Sequence, residues 1–176
     1  MEMSKKGLIE LAGHEGVCLS PYLDSVGVWT IGIGATRTEI PNLNGSHKDI
    51  TMEEALELYK KSIVRYSNAI NKALKANVSQ EQFDALVSIC YNIGTGGASN
   101  STFMRRINDG HSLVSIGAAI KMWNKPKEIK PRRAKEALLF ETGKYSNGGR
   151  VNVFPVNSSH KPVYSRGYSV DLNKLL

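Results

Sequence analysis

Residues 15–34 read EGVCLSPYLDSVGVWTIGIG, and this stretch decides the fold because the pattern of the chain changes within it. Apolar residues at positions 17–19 and β-branched and aromatic residues at positions 28–31 predict two short strands. The Asp, Ser and Gly residues at positions 24–27 are typical of a turn. We therefore predict a small antiparallel sheet in this part of the chain.

The sequence on both sides of this sheet has helical patterns. Residues 4–13 form a short amphipathic stretch that ends at Gly13, so Glu15 is expected just beyond the first helix. A Thr-x-x-Glu capping box starts a long run of apolar residues at helical spacing over residues 52–75. Ser79 with Gln82 repeats the capping box at the start of a helix predicted over residues 79–94. Further helices are predicted over residues 102–109, 113–123 and 131–143, with a glycine-rich loop at 94–99.

These elements predict an α+β fold. The small antiparallel sheet forms one lobe, the helices form a second lobe, and the long helix at residues 52–75 joins them. A substrate cleft flanked by two such lobes would accept an extended polymer. Residues 1–145 contain all of these elements and form the predicted main domain. Residues 146–176 form a C-terminal extension with an extended or hairpin-like pattern, and its apolar side chains predict that it packs on the same domain.

The composition limits the classes of partner. Of the 176 residues, 41% are apolar and 22% are charged, which is ordinary for a soluble globular protein. Most of the formal charge of +7 comes from residues 121–135, which contain seven basic residues and one acidic residue. Such a stretch attracts polyanions, whether nucleic acid, anionic membrane or bacterial wall polymer. Nucleic-acid modules interleave several stacking aromatics with their charges, and here Trp123 stands alone. We therefore expect a solvated basic face that attracts wall polymer, and no nucleic-acid partner.

The two cysteines, Cys18 and Cys90, both have apolar sequence neighbours. Free cysteine is one of the most frequently buried residue types, so two buried free thiols are predicted. A disulfide between the two stays open, because nothing in their spacing favours or excludes it.

The first residues contain no apolar core long enough for a signal peptide, and no stretch of the sequence approaches the roughly 20 apolar residues of a membrane span. We therefore expect a protein that is made and kept in the cytoplasm. If its target lies outside the membrane, a separate partner must let it out.

The spacing of Glu15, Asp24 and Thr30 carries the strongest chemical signal. Glu15 has apolar neighbours that would reduce its hydration, whereas Asp24 lies in a polar turn. Glycoside hydrolysis requires two carboxylates in contrasting surroundings, one as the acid and the other as a base or nucleophile. Thr30, on the returning strand, would offer a hydroxyl that orients water or a carboxylate. The spacing alone leaves open that Glu15 caps a helix and that Asp24 only starts a turn.

The same stretch closely resembles the catalytic segment of phage-type lysozymes, in which a Glu, an Asp and a Thr stand at these intervals. The resemblance continues through motifs that follow one another in the family's order over residues 4–145. They lie at residues 82–88, 91–94, 101–103, 105–110, 123 and 132–140. The resemblance implies a lysozyme-like α+β fold, with residues 1–145 as the catalytic domain. Residues 146–176 lie beyond these motifs.

By this resemblance, Glu15 is the general acid, Asp24 the second carboxylate and Thr30 the water-positioning hydroxyl. Arg133 matches an arginine that pairs with the catalytic glutamate in some relatives, although a surface charge in a basic helix is the alternative. The implied activity is that of an endolysin, which hydrolyses β-1,4 bonds between N-acetylmuramic acid and N-acetylglucosamine in peptidoglycan and so lyses the host cell. Whether the reaction inverts or retains the anomeric configuration is open, because it depends on the distance between the two carboxylates.

No cofactor or metal is expected for this chemistry. Two carboxylates and water suffice for the reaction, and the four histidines have no partners at metal-ligand spacing. The implied partner is peptidoglycan, which a monomer would reach after a holin-type permeabiliser has opened the membrane.

Two other functions compete with this interpretation. A lytic transglycosylase needs a catalytic acid but no second carboxylate, so Asp24 counts against it. A non-catalytic module that binds wall or nucleic acid would not require the intact set of Glu15, Asp24 and Thr30.

Overall fold

The computed structural model describes residues 1–176 and contains seven α-helices and four strands. The helices are α1 (Lys5–Glu15), α2 (Met52–Ala73), α3 (Gln80–Ile93), α4 (Thr95–Ser99), α5 (Thr102–Asn108), α6 (Leu113–Lys121) and α7 (Lys130–Thr142). None of them combines the length and the apolar composition that crossing a membrane requires. The strands are β1 (Cys18–Leu23), β2 (Trp29–Gly32), β3 (Arg150–Val153) and β4 (Tyr168–Asp171), and they form two antiparallel pairs. The predicted α+β class is confirmed.

The chain forms two compact units. The helical unit contains Met1–Leu8 and Ile63–Gly148, and the sheet unit contains Ile9–Ser62 and Gly149–Leu176. Helices α1 and α2 contribute residues to both units. The assignment of residues 1–145 to one catalytic domain stays a prediction.

The helical unit is built around α3. Phe83, Leu86 and Ile89 of this helix are fully buried, and α3 packs against α7, which also packs against α6. The predicted capping box at the start of α3 is confirmed. The N–H of Gln82 donates to Oγ of Ser79 (3.2 Å), and the N–H of Ser79 donates to Oε1 of Gln82 (2.9 Å).

The glycine-rich loop predicted at residues 94–99 is wrong, because Thr95–Ser99 form the short helix α4. Gly94 has a φ of +83° and ends α3. The N–H of Ala98 then donates to the Gly94 carbonyl (3.0 Å), and Ala98 is fully buried. Burial of Ala98 therefore stabilises a helical turn that the low helix propensity of glycine disfavours.

The predicted end of the first helix is also wrong. Helix α1 continues past Gly13 and ends at Glu15, which is its last residue rather than a residue beyond it. The N–H of Gly16 donates to the Ala12 carbonyl (3.0 Å), and Gly16 has a φ of +74°. This left-handed conformation suits glycine and turns the chain out of the helix toward β1.

The sheet unit contains the predicted pair of strands. In the register of β1 and β2, Tyr22 lies opposite Thr30 and Cys18 lies opposite Gly32, with an irregularity between Cys18 and Tyr22. Apolar side chains from several segments bury the sheet, among them Val17, Ile31, Ile33, Leu43, Val151 and Leu172.

The hairpin predicted in the C-terminal extension is confirmed. Strands β3 and β4 pair in antiparallel register from Arg150 opposite Asp171 to Val153 opposite Tyr168. Val153 also forms a parallel bridge to Val17, the residue just before β1. The end of the chain is therefore joined by main-chain hydrogen bonds to the segment that follows α1.

Both cysteines are free and buried, as predicted. Burial raises the pKa of each thiol to about 11, so neither is a thiolate at neutral pH.

Candidate active site

Glu15 is half-buried at the end of α1, and the backbone that follows it is firmly held. The N–H of Val17 donates to the Asn152 carbonyl (2.9 Å), and the N–H of Phe154 donates to the Val17 carbonyl (2.8 Å). A Cβ atom added to Gly16 would approach Cε2 of Phe154 to 2.9 Å, so the ring packs directly on the glycine. The position of Glu15 is therefore set by α1 on one side and by the C-terminal hairpin on the other.

Asp24 lies in the turn between β1 and β2. Its Oδ1 accepts hydrogen bonds from the N–H groups of Val26 (2.9 Å) and Val28 (2.8 Å). Its main chain closes the same turn, since the Asp24 N–H donates to the Val28 carbonyl (3.1 Å) and the Gly27 N–H donates to the Asp24 carbonyl (3.1 Å). These bonds fix the orientation of the carboxylate through one oxygen and leave Oδ2 to meet water or a ligand.

Thr30 lies in β2 and is only 4% exposed. Its hydroxyl donates to the Val28 carbonyl (3.1 Å), which uses the single hydroxyl proton. The lone pairs of Oγ1 remain able to accept a hydrogen bond. A water molecule that is held by Thr30 would therefore donate to it.

Tyr22 lies opposite Thr30 in the sheet, and the sequence analysis missed it. Burial raises the pKa of Tyr22 well above its ordinary value, and Cys18, Glu15, Tyr164 and Asp24 raise it further by charge. The negative charges of Glu15 and Asp24 therefore both disfavour the ionised form of this phenol. The available signal was its place in β1, two residues before Asp24.

Arg133 lies on α7 in the helical unit and is 1% exposed, so the alternative of a surface charge is wrong. Its guanidinium forms an ion pair with Glu136 (Nη1 to Oε2, 2.8 Å) and donates to Oδ1 of Asn92 (2.6 Å). Glu136 also accepts from Oγ of Ser88 (2.6 Å) and from Nε of Arg132 (2.9 Å). The guanidinium is thus held in one orientation, and its pairing with Glu15 stays a prediction.

Glu136 was missed by the sequence analysis, although its spacing could have shown it. It lies four residues after Arg132 and three after Arg133, which places all three side chains on one face of a helix.

The ion pairs of Glu136 change the interpretation of the basic stretch. They occupy Arg132 and Arg133, both of which are largely withdrawn from solvent. The lysines of the stretch are exposed, and we call them the lysine face: Lys121, Lys125, Lys127, Lys130 and Lys135. Lys121 also forms an ion pair, with Glu141 (3.8 Å), so four of the seven basic residues remain exposed and outside these ion pairs.

The structure contains no group of three or more His, Cys, Asp or Glu side chains arranged to hold a metal ion.

Comparison with known proteins identifies the fold and the family. The phage lysozyme family model matches residues 12–136. The endolysin of Salmonella phage P22 is 34% identical over 144 residues, which cover 80% of this chain and 98% of that protein.

Two solved structures share the fold. The endolysin from Escherichia coli O157:H7 phage FAHEc1 superposes with a TM-score of 0.75 at 34% identity, covering 84% of this chain and 98% of that one. The muramidase domain of SpmX from Asticaccaulis excentricus gives a TM-score of 0.72 at 28% identity, covering 80% and 98%.

The matched span contains Glu15, Asp24, Thr30 and Arg133 and ends before the C-terminal extension. The predicted resemblance and the lysozyme-like fold are confirmed. This chain is a glycoside hydrolase that belongs to the phage lysozyme family.

Proposed function

We propose that this protein hydrolyses the β-1,4 bond between N-acetylmuramic acid and N-acetylglucosamine in bacterial peptidoglycan. Glu15 is the general acid, Asp24 the second carboxylate and Thr30 the water-positioning hydroxyl. The observation that carries this proposal is the arrangement around strand β1, which follows Glu15 at the end of α1, leads into the turn that holds Asp24, and places Tyr22 opposite Thr30. Two carboxylates held near one point of a small sheet are the constellation that glycoside hydrolysis requires.

The surroundings of the two carboxylates fit different roles. Glu15 is half-buried at the end of a helix, where it can donate a proton to the departing sugar oxygen. Asp24 is oriented by two N–H groups of its own turn and keeps Oδ2 available, so it can activate water or stabilise the oxocarbenium-like transition state. Thr30, whose proton is given to Val28, can accept a hydrogen bond from the attacking water.

Arg133 has a supporting role in this proposal. Its ion pair with Glu136 and its hydrogen bond to Asn92 hold the guanidinium rigidly, as the proposed pairing with Glu15 would require. A rigid cation loses little conformational freedom when it binds an anion.

The products distinguish hydrolysis from its nearest competitor. Mass spectrometry of the fragments released from purified peptidoglycan should show reducing ends that have gained one water for each bond cleaved. Anhydro-muramic acid ends would identify a lytic transglycosylase, and an absence of cleavage would leave a non-catalytic wall-binding protein.

The biological role is that of an endolysin, which resides in the host cytoplasm as a monomer until a holin-type permeabiliser opens the membrane. Expression of the chain alone should leave host cells intact, and addition of a membrane-permeabilising agent should cause prompt lysis. Lysis of cells whose membrane stays undamaged would contradict the need for a separate permeabiliser. Sedimentation of the purified protein should give the mass of one chain.

A further inference from the structure

We propose that the C-terminal extension acts as a strut that fixes the spacing between the segments carrying Glu15 and Asp24, with Phe154 and His160 as its positioning residues. The proposal rests on the proposed function, because it assumes that these two carboxylates act together. Residues 149–176 of the strut belong to the sheet unit, as both carboxylates do. The phage lysozyme family model ends at residue 136, before the strut begins.

One end of the strut holds the segment after Glu15. Val17 exchanges two main-chain hydrogen bonds with it, one to the Asn152 carbonyl (2.9 Å) and one from the Phe154 N–H (2.8 Å). The Phe154 ring packs on Gly16, the residue directly after Glu15. Displacement of this ring would allow the end of α1 to move.

The other end of the strut holds the segment before Asp24. The N–H of Leu23 donates to the His160 carbonyl (2.9 Å), and Nδ1 of His160 lies 3.3 Å from the Pro21 carbonyl. The His160 ring meets the Trp29 ring edge to face, with centroids 4.9 Å apart. His160 has a φ of +55°, a conformation that a non-glycine residue keeps only where its surroundings hold it.

The strut is rigid between these two ends. Val156 and Pro162 form an antiparallel bridge, and the N–H of Val163 donates to the Pro155 carbonyl (2.8 Å). Phe154 is braced by the Tyr164 ring, with centroids 5.1 Å apart. The contact at Phe154 therefore cannot move freely relative to the contact at His160.

Strand β1 alone cannot set the spacing of the two carboxylates. It connects their segments directly, but its pairing with β2 is irregular between Cys18 and Tyr22. Irregular pairing bends a strand and varies its local twist. A second connection, through the extension, restrains both ends of β1 and so restrains the carboxylate separation on which the reaction depends.

Phe154→Ala tests the first end of the strut and His160→Ala tests the second. Both variants and the parent protein are assayed on soluble glycan strands prepared from purified peptidoglycan, well below each variant's melting temperature. A positioning role predicts that kcat falls roughly 10–100-fold while KM changes little, because misplacement of a catalytic group by about 1 Å has effects of this size. Phe154→Tyr, which keeps the ring, should restore most of the rate.

Two further variants separate positioning from stability. Leu172→Ala removes a fully buried side chain of the extension that is not part of either contact, so it should lower the melting temperature and leave kcat unchanged. If Phe154→Ala does not fold, Gly167→Ala replaces it, because the added methyl would meet the Phe154 ring at 2.7 Å and displace it.

Unchanged kcat in folded Phe154→Ala and His160→Ala would overturn the strut, and a raised KM with unchanged kcat would make the extension a binding element instead. Glu15→Gln is measured in parallel. If Glu15→Gln is inactive while the strut variants are fully active, only the strut fails. If Glu15→Gln keeps its activity, the proposed function itself fails.

Discussion

Asp84 in the helical unit and Asp24 in the sheet unit are residues of the same type in two different environments. Asp84 is fully buried, and it accepts hydrogen bonds from the N–H and hydroxyl of Ser4, from Gln80 (2.9 Å) and from the Tyr145 hydroxyl (2.7 Å). Asp24 accepts only from N–H groups of its own turn, through one oxygen. Asp84 joins parts of the chain that are far apart in sequence, whereas Asp24 joins nothing beyond its turn.

Glu136 follows the pattern of Asp84. Both of its oxygens are engaged by other side chains of the helical unit: Ser88, Arg132 and Arg133. A buried carboxylate that is held by other side chains of its own unit stabilises the fold and is not presented to a substrate. This difference in hydrogen bonding distinguishes carboxylates that stabilise the fold from carboxylates that can act in catalysis. It predicts opposite outcomes when each is replaced by its amide.

Among the variants that test this difference, Asp24→Asn should lose the most activity. It removes the charge that activates water or stabilises the transition state, so turnover of purified peptidoglycan should fall ~10²–10⁴-fold. The melting temperature should stay close to that of the parent, because Asn can still accept the two N–H bonds of the turn. Turnover close to the parent value in a folded Asp24→Asn protein would remove Asp24 from the mechanism.

Asp84→Asn should give the reverse result. The amide cannot accept all the donors around it, and unsatisfied buried donors should lower the free energy of unfolding by about 3 kcal/mol. Denaturant unfolding measures this loss. Turnover per folded molecule should be unchanged below the melting temperature, and a selective loss of turnover would contradict the division between the two aspartates.

Thr30→Val should lower the rate roughly tenfold, because it removes the hydroxyl that positions water while it keeps the β-branched shape that β2 requires. Thr30→Ser is the matched control, since it keeps the hydroxyl and loses only a methyl group. If the two variants have equal rates, Thr30 acts through packing and not through its oxygen.

The smallest effect is expected from the lysine face. Activity on intact wall should fall as salt rises, because the Debye length contracts from ~10 Å at 0.1 M to ~3 Å at 1 M. Neutral replacement of Lys125, Lys127 and Lys130 should flatten this dependence. The same change at three exposed lysines outside the face, Lys5, Lys72 and Lys144, is the charge-matched control. Equal salt profiles for the two triple variants would show that net charge, rather than the lysine face, attracts the wall.

Local patterns in the sequence predicted most of the fold. The capping box of Ser79 and Gln82 starts α3 where the sequence places it, and Gly143, with a φ of +71°, ends α7 as predicted. Each of these capping interactions joins residues within a turn or two of one another, so it can be predicted from the local sequence alone. Asp24 was likewise predicted in the turn between two strands and Thr30 on the second strand, as the structure has them, although their roles stay a proposal.

The features that the sequence did not predict depend on contacts between distant residues. The end of α1 is set at Gly16, where Phe154 packs on the glycine from 138 positions later in the chain. Glu136 binds Ser88, which lies 48 residues away. The spacing of apolar residues along the sequence does not predict such contacts, because they form only when the whole unit packs. They are also the contacts that hold Arg133 and the segment after Glu15.

The turnover of Glu15→Gln on purified peptidoglycan tests the central claim most directly. Gln keeps the size of the side chain but has no proton to give to the departing sugar oxygen, so the rate should fall ~10²–10⁴-fold or more. Glu53→Gln, at an exposed glutamate of the same unit, is the matched control and should retain the parent rate. Circular dichroism should show that both variants are folded. A folded Glu15→Gln protein with near-native turnover would contradict the assignment of Glu15 as the general acid.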